Sequence, residues 1–142
     1  MGPMTTIDTL PAGRWFKRVL WLGIVSNCAL AVPTIVAPAR ALEFSSLPTA
    51  SPLLWPQFAG LLLVLLSVFY APAGIDLDRY RPVAWLAVGA RLAGVVFFVG
   101  FQAAMYHVLG YFDLAFFVPE ITLLVAATRS ATAATAAKGA GQ

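Results

Sequence analysis

Four apolar runs, each close to the length of a bilayer crossing, leave this chain few ways to fold. They cover about residues 15–37, 53–71, 82–105 and 111–128, and breaks such as Pro72-Ala73-Gly74 and the charged loop "DLDRYR" (76–81) separate them. A helix rises about 1.5 Å per residue, so runs of about 18–23 residues match a hydrocarbon core of about 30 Å. Charge is too sparse to argue otherwise. Only 11% of the 142 residues are Asp, Glu, Lys or Arg, against 61% hydrophobic, and the mean hydropathy is +0.85. A soluble domain carries about 25% charged residues. The expectation is an all-α, polytopic integral membrane protein whose short connections pack neighbouring helices as an antiparallel four-transmembrane-helix bundle.

The flanks set boundaries and orientation. Residues 1–13, punctuated by Pro and Gly, read as a short, loosely held tail; residues 14–128 form the transmembrane domain; residues 129–142, "RSATAATAAKGAGQ", read as a disordered tail of low complexity. The "APA" at 37–39 resembles a signal-peptide cleavage site, but the preceding basic region is long and the apolar run is nearer span length than a signal core. Arg14, Lys17 and Arg18 stand before the uncharged part of the first span, Val19 to Ala37, Arg79 and Arg81 lie between the second and third, and Arg129 and Lys138 follow the fourth. Only Arg40 falls on the opposite side. That bias places both termini in the cytoplasm, with a bacterial inner membrane as the expected location. The basic residues form no aromatic-interleaved patch, so no nucleic-acid partner is expected.

The two halves echo each other. "RVLWLGIVSN" (18–27) aligns without gaps to "PVAWLAVGAR" (82–91), and "LLWPQFAGLL" (53–62) to "FFVPEITLLV" (116–125). Two repeated hairpins would be related by an axis along the membrane normal. The alignment pairs Asn27 with Arg91 and Gln57 with Glu120.

Arg91, in "GARLAG", stands in the middle of the third run. A charge at mid-membrane costs at least about 2.5–3.5 kcal/mol on insertion scales. Glu120 lies nine residues before Arg129, and Arg91 lies nine residues past Pro82, so antiparallel neighbours bring the two to equal depth. A buried Arg91–Glu120 pair follows, supported by Asn27, Gln57 and Gln102. The alternative is Arg91 snorkelling alone to the interface. The pair can fix helix register, or it can be a binding or transport site; the residues alone leave both open.

A second group, His107 and Asp113, lies near the outer end and reads as a polar mouth or as interfacial anchoring beside Tyr106, Tyr111 and Trp55. Asp76 and Asp78 are neutralised by Arg79 and Arg81, with Asp78 expected as a helix cap. One cysteine, Cys28, excludes an intrachain disulfide and a Cys-based zinc site. No metal, cofactor or catalytic residue is expected. Ala90 and Gly94 form a small-xxx-small pair that permits close helix approach.

The outline, four short spans with buried Arg and Glu, is similar to small DoxX-like bundles, a likeness of size and layout that assigns no active residues. Beyond the lipid bilayer itself, the first functional expectation is a small membrane subunit or assembly factor, without catalysis of its own, docking to a larger membrane complex. The alternative is a small oligomeric transporter or quinone/lipid-binding module built on Arg91 and Glu120. A membrane enzyme using His107 and Asp113 ranks last.

Overall fold

The structure, a computed structural model, describes residues 7–140, and every regular element among them is helical. Helix α1 (Pro11–Val36) is followed by the short α2 (Pro38–Phe44), then α3 (Leu54–Ile75), α4 (Arg81–Val95) and α5 (His107–Ala140). Helix α4 runs on into a π-helical stretch, Val96–Phe101. Four segments, Pro11–Val36, Leu54–Ile75, Arg81–Phe101 and Ala104–Ala137, are long and apolar enough to cross a membrane.

Proline marks the starts. Pro11, Pro38 and Pro82 sit in first turns, where a missing N–H costs nothing. Three more, Pro33, Pro72 and Pro119, lie inside α1, α3 and α5, each depriving the carbonyl four residues earlier of its helical donor.

Several boundaries differ from expectation for physical reasons. The stretch between the first two apolar runs contains most of α2, and α3 starts at Leu54 without a side-chain cap. The third span changes winding at Val96 and breaks at the extended Gln102 rather than running to Met105. Helix α5 continues past Thr128 to Ala140, where low complexity pointed to a disordered tail. Alanine is the best helix former, and the segment 131–137 is built from Ala and Thr.

Helices α1 and α3 pair antiparallel. Trp21 Nε1 donates to the Gly74 carbonyl (3.2 Å) at one end of the α1–α3 pair, and Gln57 Nε2 donates to the Ile35 carbonyl (2.9 Å) at the other. Helix α5 packs on both α1 and α4, and α4 also touches α3.

The main apolar core gathers at one end. Ile7, Phe16, Leu20, Leu77, Leu124 and Ala127 are all at most 1% exposed, and they surround the first described residues and the 76–80 loop. We call this the terminal end. The polar tail expected to be loose is tied down there from Ile7 onward. Asp78 accepts from the backbone N–H groups of Ile7 and Asp8 (both 3.1 Å), and Asp8 accepts from that of Leu77 (3.2 Å). Lys17 pairs with Asp8 at 2.8 Å. Asp78 therefore holds the N-terminal segment instead of capping α4, whose N-cap position is Tyr80.

Candidate functional site

Arg91 projects from α4 into the interior, where it is 5% exposed. Its Nη1 donates to Asn27 Oδ1 of α1 (3.2 Å) and to Asp113 Oδ1 of α5 (3.0 Å). Its Nε lies 4.0 Å from Glu120 Oε1. The guanidinium also sits over the Phe116 ring, 4.8 Å from its centroid, with Phe112 at 5.9 Å. Cation–π contact of this kind favours a guanidinium that has left water.

Two glycines make the arrangement possible. A Cβ on Gly23 of α1 would lie 2.5 Å from Arg91 Nη2, so any larger residue displaces the guanidinium. A Cβ on Gly94 of α4 would overlap the Asp113 carboxylate. Gly94 thus does more than let helices approach. It opens the space in which Asp113 reaches Arg91. Gly23 went unnoticed in the sequence because a glycine in an apolar run carries no distinguishing pattern.

The carboxylates differ. Asp113 keeps a side chain 21% exposed and holds the short bond to Arg91. Glu120 is fully buried, and neither of its carboxylate oxygens has a hydrogen-bond partner among the described residues. Arg91 and Glu120 are therefore neighbours, but the hydrogen-bonded carboxylate is Asp113, which the sequence placed with the outer mouth.

Of the other expected members, one joins the cluster and the rest fall elsewhere. Asn27 joins the cluster. Gln57 does not: it satisfies the Ile35 carbonyl in the last turn of α1, one of the acceptors that every helix end leaves open. Gln102 stands in extended backbone at the break after the π-helical stretch, whose winding departs from that of the α-helix carrying Arg91. His107 places Nε2 3.2 Å from the Gln102 carbonyl and its ring edge-on to Tyr111, with centroids 6.2 Å apart. Six residues separate His107 from Asp113, which turns them to different faces of α5, so the two do not form a mouth together. On α3 the buried Tyr70 lies within electrostatic range of Arg91, Glu120 and Asp113. Among the described residues, no three His, Cys, Asp or Glu side chains gather as a metal-binding group.

Chemically, one guanidinium bridges two carboxylates. The carboxylate on the terminal-end side is completely enclosed and has no donor among the described residues, and the other is partly open. No family model matches the chain, and no curated protein or solved structure matches it.

Proposed function

We propose that the chain is an antiparallel four-helix bundle in a bacterial inner membrane, termini in the cytoplasm, that binds a small polar or amphipathic ligand at the Arg91 cluster. It acts as a small transporter or as a quinone/lipid-binding module. The orientation rests on the basic residues: Arg14, Lys17, Arg18, Arg79, Arg81 and Arg129 cluster toward the terminal end, and Arg40 stands alone at the other.

The observation that carries the reading is Glu120. Buried polar groups in folded proteins almost always find partners, and a buried ion pair kept only for helix register gains most when its hydrogen bonds are closed. Here a buried carboxylate has none among the described residues, beside an arginine whose Nη1 is bonded elsewhere. A ligand that donates to Glu120 or accepts from the guanidinium completes the set.

The accessory-subunit reading draws on exposed apolar surface, such as Trp15, Leu22, Trp55 and Phe69. Lipid accounts for that surface equally well, so it favours neither reading. Purification in mild detergent, followed by native mass spectrometry and an absorption spectrum, separates them. The expected result is a small noncovalent adduct on the wild-type chain that is lost in Arg91→Met while the helical circular dichroism remains. A bare chain, or a stoichiometric protein partner retained equally by Arg91→Met, overturns the ligand reading.

A further inference from the structure

We infer that Glu120 holds one exchangeable proton, taken up from and released toward the less packed end of the bundle, where the Asp113 side chain is partly open. The inference rests on the reading of this cluster as the working site.

The charge count is the first reason. Arg91 is the one cation in the cluster, facing the carboxyl groups of Asp113 and Glu120. With both ionised, a buried negative charge is left over, and charges inside a membrane are expensive unless balanced. Hydrogen bonding is the second reason. Glu120 has two carboxylate oxygens and no donor among the described residues. A proton supplies the missing charge and turns an acceptor-only group into one that can donate. Pro119 leaves the Ala115 carbonyl, one turn earlier on the same helix, without its helical donor and so free to accept.

Helices α1, α3, α4 and α5 all face the site. Helix α4 presents Arg91, α3 presents Tyr70, and α5 itself presents Asp113; α1 presents Asn27 and the bare Gly23. A hard metal cation gathers several oxygens about itself. Arg91 occupies the space between the two carboxylates, which leaves no such shell. A proton needs a single lone pair.

Access is one-sided. Toward the terminal end, Leu124 and Ala127 follow Glu120 on α5, and both are fully buried with Phe16, Leu20 and Leu77. In the other direction the Asp113 side chain is 21% exposed and bonded to Arg91. The step is simple: a proton from water binds a lone pair of a Glu120 oxygen, an O–H bond forms, and release returns the proton to water. No other bond changes.

The sequence permits a clean test. The chain has two glutamates, Glu43 and Glu120, and Glu43 lies exposed on α2. In a Glu43→Gln background Glu120 is the only glutamate. The full chain is labelled with 13C-glutamate, reconstituted in liposomes, and studied by infrared difference spectroscopy between acidic and alkaline buffer. The expected result is a carboxylic-acid C=O band from one group per chain that shifts with the glutamate label, is unmoved by 13C-aspartate, and disappears in Glu120→Gln. Replacing choline by sodium at constant pH leaves it unchanged. A band that titrates without shifting on glutamate labelling, the lack of any titrating glutamate band, or its loss on adding sodium each overturns the inference. The labelled Glu43→Gln chain decides the matter even if Glu120→Gln fails to fold. The adduct measurement above is separate, so the ligand reading and the proton can fail independently.

Discussion

The two ends of the molecule are built from similarly apolar helices and packed very differently. At the terminal end Phe16, Leu20, Leu77, Leu124 and Ala127 interlock, and Asp8, Asp78 and Lys17 bind the N-terminal segment over them. At the opposite end burial thins out. Beyond Asn27 only Ala31 of α1 is buried; before Ser67 only Gly60 of α3; before Glu120 only Gly110 of α5; and nothing in α4 or its π-helical extension is buried past Arg91. The polar cluster stands on the border between the two regions. Its carboxylates repeat the contrast, Glu120 enclosed on the packed side and Asp113 partly open on the other. A charged group in a membrane needs partners, and a group that exchanges with solvent needs a way in. A border position provides both.

Substitutions at matched residues can break this comparison. The largest expected effect is Phe16→Ala, which empties a fully packed position and costs about 3–5 kcal/mol on the scale of soluble cores. The counterpart Phe101→Ala, at a residue 76% exposed, stays within about 0.5 kcal/mol. Thermal unfolding in mild detergent compares them, and similar losses would erase the distinction between the ends. Next comes Asp78→Ala, which removes the acceptor for two backbone N–H groups; hydrogen bonds to a charged group are worth about 1.5–3 kcal/mol, and partial exposure of Asp78 puts the effect at the low end. Hydrogen exchange at Ile7 and Asp8 should rise sharply in that variant and not elsewhere. Protection that survives there means the latch is held by something other than Asp78. A smaller loss than that of Asp78→Ala is expected for Gln57→Ala, a single neutral hydrogen bond at the loosely packed end, worth about 0.5–1.5 kcal/mol. A loss above that of Asp78→Ala would reverse the ranking of the two ends.

How much of this was legible in the sequence depends on the range over which each signal acts. Hydropathy is summed over a whole segment, so the four long helices could be read directly. Depth counting along antiparallel helices likewise brought Asn27, Arg91 and Glu120 to one level. The N-terminal latch could not be read, because Asp78 lies about seventy residues from the N–H groups it accepts from. The bond between Arg91 and Asp113 depends on the missing Cβ of Gly94, a steric vacancy that a small-xxx-small pattern does not distinguish from ordinary packing. The stretch before Gln102 winds as a π-helix, a change of phase that apolar composition does not reveal. The alanine-rich end of α5 shows low complexity and helix propensity coinciding in one composition.

One arginine divides itself between two carboxylates, and a pair of double-mutant cycles measures that division. Arg91→Met, Asp113→Asn and Glu120→Gln are made singly and in the two combinations containing Arg91→Met, and each variant is unfolded thermally in the same detergent. Residues in direct contact show coupling of about 0.5–3 kcal/mol, whereas independent ones add. The structure predicts a larger coupling between Arg91 and Asp113, bonded at 3.0 Å, than between Arg91 and Glu120, 4.0 Å apart without a hydrogen bond. Additive losses for Arg91 and Asp113, together with strong coupling between Arg91 and Glu120, would contradict it and return Glu120 to the role of a closed structural partner.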